Sequence, residues 1–97
     1  MTWEDAVAVL RGWEGRDVVI VPILDPGISL TPFAGPLAVD EPKGGIVRIR
    51  TDPHYEPYIS LFRATFLEAG WVAGREDQGL SVVQGGARVD VFVDGTP

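Results

Sequence analysis

The alternation of apolar and polar residues is most regular near the C-terminal end of the chain. In segment 87–93, valines alternate with charged residues, which predicts a strand with one buried face. A second run rich in valine, 79–84, ends just before it, and only Gly85 and Gly86 separate the two. A primed two-residue turn needs positive φ, which glycine adopts without strain. The pattern therefore predicts a tight antiparallel hairpin that closes the fold.

The N-terminal residues have the pattern of an amphipathic helix. Thr2 is a good N-cap residue, and Glu4 and Asp5 place negative charge in the first turn, where the helix dipole favours it. Apolar residues recur at helical spacing along one face: Trp3, Ala6, Val7, Leu10 and Trp13. We predict that the helix ends at the glycines that follow, Gly12 and Gly15.

A continuous apolar run follows at 17–24. Such a run predicts a strand that is either buried on both faces or forms a sheet edge that pairs with another copy of the chain. Pro22 has no N–H to donate, which indicates that one side of this strand is not fully hydrogen-bonded. Val19 and Val21 are therefore candidate residues of a homo-oligomer interface.

The middle of the chain predicts further strands and turns. Residues 25–27 have the composition of a turn, and 29–40 fit a second strand with a break or bulge at Gly35 and Pro36. Residues 41–44 then predict a turn, and 45–51 a third strand. The glycine pairs 44–45 and 85–86 lack the lysine of a phosphate-binding loop and are interpreted as hairpin turns.

Segment 57–72 fits two structures. Pro57 and Gly70 suit the start and the end of a helix, whereas Ile59 and Leu61 fit a strand equally well. We predict a short helix or helical turn within 62–69, with Trp71 entering the next strand.

Composition places the chain among ordinary globular proteins, with 45% hydrophobic and 23% charged residues. Its 97 residues give room for one small domain, residues 1–97. The absence of cysteine excludes disulfides and zinc–thiolate sites. No apolar run approaches the roughly 20 residues of a membrane helix, and the N-terminus lacks a secretory signal pattern. We therefore expect a cytoplasmic protein that does not bind membranes.

Two parts of the chain resemble the signature motifs of Sm-like proteins. The first signature consists of a helix ending in Leu, then Gly, then alternating Val. It is similar to residues 10–20, Leu-Arg-Gly-Trp-Glu-Gly-Arg-Asp-Val-Val-Ile, followed by residues 35–37, Gly-Pro-Leu. Residues 83–85, Val-Gln-Gly, are similar to the Ile-Arg-Gly run of the second signature. The resemblance implies a strongly bent antiparallel sheet of the SH3-like barrel type, ring-like assembly through strand pairing and, in many members, binding of single-stranded RNA.

The same resemblance supplies an alternative function. In a single-stranded RNA-binding protein of this family, Asp40, Lys43, Gln84 and Gly85 would line the nucleotide pocket. However, Gln84 stands where the family has Arg, segment 40–43 lacks the Asn of the RNA-contacting loop, and 53–74 has no counterpart. The formal net charge of -6 also opposes attraction to phosphates. We therefore expect RNA binding to be weak or absent.

Asp52, His54 and Glu56 are the candidate ligands of a metal ion. In an extended segment, alternate residues face the same side, and carboxylates and imidazole are common metal ligands. Pro53 and Pro57 favour a solvated surface loop instead. His54 is the single histidine, and no nucleophile motif accompanies it. We expect no metal and no other cofactor, and we expect that the protein is not an enzyme; a metal-dependent function is the third alternative.

Three side chains outside these motifs are candidates for contacts with another molecule. Arg48 and Arg50 share one face of the third predicted strand, which suits either an anion site or the ordinary polar face of a strand, and we prefer the second. Phe92 falls on the polar side of the last strand, where an exposed aromatic side chain needs a neighbour or a partner. Phe92 thus joins the candidate interface residues.

At least two of the three tryptophans are expected in the core.

Together these features predict a mainly β domain in which an N-terminal α-helix precedes a strongly bent antiparallel sheet, SH3-like or Sm-like. The predicted function is that of a non-enzymatic interaction module that self-associates. We expect a homo-oligomer, with a different protein as a further candidate partner.

Overall fold

The computed structural model describes residues 1–94. One helix precedes eight strands: α1 (Trp3–Gly12), β1 (Asp17–Leu24), β2 (Ile28–Ser29), β3 (Phe33–Lys43), β4 (Ile46–Thr51), β5 (Tyr58–Phe62), β6 (Phe66–Trp71), β7 (Gly79–Gln84) and β8 (Ala87–Val93). The strands form one open sheet in the order β5-β4-β3-β1-β8-β7-β6, with β2 paired to β1. Every pairing is antiparallel. The predicted mainly β fold with an N-terminal helix is confirmed.

Helix α1 begins with a capping box. The Thr2 hydroxyl accepts a hydrogen bond from the Asp5 N–H at 3.1 Å, and the Asp5 carboxylate accepts one from the Thr2 N–H at 3.1 Å. Two backbone donors that a helix start leaves without partners are thereby satisfied. The hydrogen bond from the Thr2 backbone, followed by that from its side chain, lowers the pKa of Asp5 below its ordinary value.

The apolar face of α1 packs against β6 and the core. Leu10 is fully buried, and Trp13, just after the helix, is 6% exposed. The Trp3 ring lies 5.8 Å from that of Phe66, and the Trp13 ring 6.2 Å from that of Trp71, measured between centroids. Trp3 and Trp71 are partly buried against the core. Of the at least two tryptophans expected in the core, Trp13 alone is buried in it, and Trp3 and Trp71 pack against its margin.

The inward faces of the strands supply the rest of the core. Alternate residues are buried in β1 and β4, as the period-2 geometry of a strand requires. β8 is buried on both faces from Val89 to Val93. The buried strand residues of this core are Val18, Ile20, Leu37, Val39, Val47, Ile49, Leu61, Ala69, Leu80, Val82, Val89, Val91 and Val93. Within residues 1–94 no helix is long and apolar enough to cross a membrane.

Strand β1 lies inside the sheet, so the alternative in which it forms a sheet edge is wrong; its second face is only half-buried. It pairs with β8 along 18–24 on one side, and with β3 along 17–20 and β2 along 23–24 on the other. Pro22 lies between the β3 and β2 pairings, where its carbonyl accepts the Leu30 N–H at 2.9 Å. A proline is tolerated there because no ladder hydrogen bond needs its missing N–H.

The break predicted at Gly35 and Pro36 lies earlier in the chain, at 30–32, between β2 and β3. β3 continues through Gly35, which has φ 150°. A Cβ at this position would lie 3.1 Å from the Thr51 Cβ, so glycine allows β3 to pass close to the end of β4. β3 pairs with β1 along 33–36 and with β4 from Leu37 onwards, so this region is also where the strand changes partner.

The turn predicted at 41–44 is shorter than expected. β3 extends to Lys43 with an irregular register between Asp40 and Lys43, and Lys43 pairs with Ile46 across Gly44 and Gly45. The first glycine-pair hairpin is therefore confirmed.

Segment 57–72 contains two strands, and the predicted helical turn within 62–69 is present between them, whereas the alternative of a longer helix is wrong. β5 and β6 are joined by a single 3₁₀ turn at Arg63–Thr65, which is the only helical part of the predicted range 62–69. Trp71 ends β6 instead of entering the next strand. β5 pairs with the preceding strand β4 and β6 with the following strand β7, and these ladders select the strand where the apolar spacing allowed both structures.

The C-terminal hairpin has the predicted position and register, with Gln84 paired to Ala87. Its turn differs from the expected one in type. Of the two turn glycines, Gly86 alone has positive φ, at 74°. A primed turn needs positive φ at its first central residue, so the turn is not primed. Gly86 is nevertheless in a conformation that favours glycine.

Candidate functional site

The candidate metal ligands do not form a metal site. Residues 52–53 form a turn in which the His54 N–H donates to the Thr51 carbonyl, so the segment is not extended as the ligand argument required. The Asp52 carboxylate accepts a hydrogen bond from Arg50 Nη1 at 2.7 Å. Among residues 1–94, no group of three metal-binding side chains, including Asp52, His54 and Glu56, comes together.

The four residues of the alternative RNA pocket lie on or beside two strands that are not neighbours in the sheet. Asp40 and Lys43 belong to β3, whereas Gln84 ends β7 and Gly85 follows it; β1 and β8 lie between β3 and β7. The Gln84 side chain is engaged within the chain. Its Oε1 accepts the Phe62 N–H at 3.0 Å, and its Nε2 donates to the Ser60 carbonyl at 3.0 Å.

Gln84 therefore joins β7 to β5, the strand at one end of the open sheet. An amide side chain has both a donor and an acceptor, so it imitates the backbone of a neighbouring strand. The adjacent Gly85 N–H donates to the Thr65 carbonyl at 3.0 Å, in the connection between β5 and β6. We call the place where β5 approaches β7 the seam.

The arginine pair on β4 lies on the outer face of the sheet. Arg50 is bound by Asp52 and lies 3.4 Å from the Asp40 carboxylate, and the hydrogen bond to Asp52 is the main reason that its pKa is raised above its ordinary value. Arg48 lies over the Tyr58 ring, with its Cζ 4.5 Å from the centroid. Because Arg50 is neutralised by its own chain, the polar-face interpretation describes it better than an anion site.

The predicted interface residues are less exposed than the sequence suggested. Val19 and Val21 are half-buried on β1, inside the sheet. Phe92 is only 8% exposed. It packs against Gly79, where an added Cβ would lie 3.0 Å from the ring and 3.1 Å from the Arg75 Cβ. The premise that Phe92 is exposed is therefore wrong, and its neighbour comes from its own chain.

Exposed apolar side chains gather instead at the seam. A cleft of about 320 Å³ opens there, which we call the seam cleft. Its lining is formed by Pro22, Ile23, Leu24, Leu30, Tyr58, Ile59, Ser60, Phe62, Gln84, Ala87, Arg88 and Val89. No carboxylate lines it, although the chain carries a net charge of -6.

Four of the lining side chains are large, apolar and at least 40% exposed: Leu24, Leu30, Tyr58 and Phe62. Ile28, at 58% exposed, pairs with Leu24 across the β1–β2 turn. We call these five residues the apolar patch. Scattered apolar residues are normal on a surface, but a cluster around one cleft is typical of an interaction site. The signal available in the sequence was Ile28 and Leu30, apolar residues directly after a Pro-Gly turn.

Comparisons with known proteins give no relative from which a function could be transferred. No family model matches the chain, and no curated protein or solved structure is significantly similar to it. The geometry of the chain itself is therefore the basis for assigning a function.

Proposed function

We propose that the protein is a non-enzymatic interaction module that self-associates through the apolar patch. The observation that carries the proposal is the clustering of Leu24, Ile28, Leu30, Tyr58 and Phe62 at the seam. These residues replace the β1 valines as the proposed contact surface, because β1 lies inside the sheet.

Charge favours a second copy as the occupant of this surface. Two chains of net charge -6 repel each other over most of their surfaces. The seam cleft is lined by no carboxylate and by one cation, Arg88, so like-charge repulsion is smallest there. A two-fold dimer also brings the same patch together from both subunits, which suits a surface with a single polar group, the Tyr58 hydroxyl, to match.

The seam also supports the predicted SH3-like barrel as the relevant fold type. Gln84 and Gly85 draw the end strand β5 towards β7 through hydrogen bonds of 3.0 Å. A second subunit that packs on the apolar patch would cover the remaining gap between β5 and β7. The resemblance to Sm-like proteins stays a prediction.

A pair of substitutions tests the proposal. Ile28→Asp places a carboxylate in the patch, and Leu67→Asp places one at a side chain that is 68% exposed on β6, outside it. Burial of one Ile side chain stabilises by about 1.5–3 kcal/mol, so Ile28→Asp should raise the dimer dissociation constant at least about tenfold. Leu67→Asp should leave it unchanged. Sedimentation velocity measures both, and equal effects of the two substitutions would contradict the proposed location.

A further inference from the structure

Asp90 is a buried carboxylate on the outer face of the sheet. It is 8% exposed and belongs to β8, where its Cα is paired with Val21 of β1 and Ser81 of β7. Charged side chains are rarely buried unless hydrogen bonds or an opposite charge satisfy them. The Asp90 carboxylate therefore needs hydrogen-bond donors or a cation close to it.

The chain itself supplies only some of the partners that the Asp90 carboxylate needs. Asp90 Oδ1 is buried and accepts no hydrogen bond among the described residues. The nearest cation is Arg88, whose Nε lies 3.3 Å from Oδ1 without hydrogen-bond geometry, and whose side chain is 48% exposed. A carboxylate has about four acceptor positions, and buried polar atoms are nearly always hydrogen-bonded. A donor from outside the chain would complete this site.

A groove beside Asp90 provides room for such a donor. It has a volume of about 430 Å³ and is lined by Asp90, Glu68, Arg88, Trp71, Gly70 and Ser81, among others. Gly70 and Ser81 leave space that larger side chains would fill. The groove holds two carboxylates, Asp90 and Glu68, against the single cation Arg88.

We propose that this groove binds a guanidinium or ammonium group on a side chain of a basic partner protein, with Asp90 as its acceptor. A charge-assisted hydrogen bond is about twice as strong as a neutral one. Oδ1 is enclosed by the chain's own atoms, so the half-exposed Arg88 side chain has to move from its position 3.3 Å away when the entering group binds. Trp71 offers an aromatic surface for the aliphatic part of the entering side chain. The net charge of -6 attracts basic proteins over a longer range. The groove shares only Arg88 with the seam cleft, so it functions whether or not the chain dimerises.

The test is a titration of the full chain followed by amide NMR spectra. The probe is N-acetyl-arginine amide, an arginine side chain in a peptide-like setting, and the matched control is N-acetyl-citrulline amide, which has nearly the same shape but no charge. We expect saturable shifts in the millimolar range for the amides of Gly70, Ser81 and Asp90 with the arginine probe only. Equal shifts with citrulline, or no saturable shifts at these amides, would overturn the proposal.

Two substitutions locate the binding group. Asp90→Asn should weaken binding of the arginine probe at least about tenfold, since hydrogen bonds to charged groups contribute about 1.5–3 kcal/mol. Glu68→Gln changes an exposed side chain, so the fold is unaffected, and it should weaken binding about twofold. Unchanged affinity in both variants would overturn the assignment of this groove, and the Glu68 variant keeps the test valid if Asp90→Asn perturbs the sheet.

Discussion

Gln84→Ala tests the link between β5 and β7. The substitution removes two hydrogen bonds of 3.0 Å, from the Phe62 N–H to Oε1 and from Nε2 to the Ser60 carbonyl. At a net 0.5–1.5 kcal/mol each, their loss should lower the free energy of unfolding by about 1–3 kcal/mol. For a domain of this size, that corresponds to a fall in melting temperature of roughly 4–20 °C. Urea unfolding followed by tryptophan fluorescence measures the difference directly.

Controls separate the hydrogen bonds from simple truncation. Gln78→Ala makes the same change at an exposed side chain without a hydrogen bond among the described residues, and it should have little effect. Gln84→Glu keeps the acceptor for Phe62 but turns a carboxylate oxygen towards the Ser60 carbonyl, so it should also destabilise. If Gln84→Ala and Gln78→Ala unfold at the same urea concentration, the Gln84 link makes no contribution and our reasoning about the seam is refuted.

Three further predictions concern the hairpin, the helix cap and RNA. Gly86→Val should destabilise by about 1 kcal/mol or more, because a β-branched residue is strained at positive φ, and Gly86→Asn should cost much less; equal melting temperatures would contradict this. The folded-state pKa of Asp5 is lowered, so its ionised form contributes stability that is present above pH of about 4 and lost as the pH falls through the folded-state pKa. The stability difference between the wild type and Asp5→Asn should therefore be larger at pH 7 than at pH 2, and a difference independent of pH would count against the capping box. Finally, oligo-uridine and oligo-adenine should bind weakly or not at all near physiological salt, whereas submicromolar affinity would favour the alternative RNA-binding function over our proposal.

Local pattern was sufficient to predict those elements whose structure is determined within a few residues. The capping residues of α1, the strand at 17–24 and the hairpin around Gly85 and Gly86 all lie where the sequence places them. Residues 57–71 could not be assigned in this way, because their apolar spacing fits both a helix and a strand. Their pairing with the strands before and after them, β4 and β7, lies outside the segment itself and determines the outcome.

The candidate sites were harder to predict because burial depends on contacts far apart in the chain. Phe92 lies on the outward face that the alternation predicts, yet it is buried against Gly79 of the neighbouring strand β7. Asp90 is likewise buried on that face. The apolar patch combines Leu24 at the end of β1, Ile28 of β2 and Leu30 just after it with two residues of β5, and no local pattern brings these two parts of the chain together.

Light scattering of the wild-type chain tests the central claim most directly. The monomer has a mass of 10.5 kDa. If the apolar patch is covered by a second copy, the weight-average mass should rise with protein concentration towards at least twice that value, and Ile28→Asp should shift this rise to concentrations at least about tenfold higher. A wild-type chain that remains a monomer at high micromolar concentration would contradict self-association.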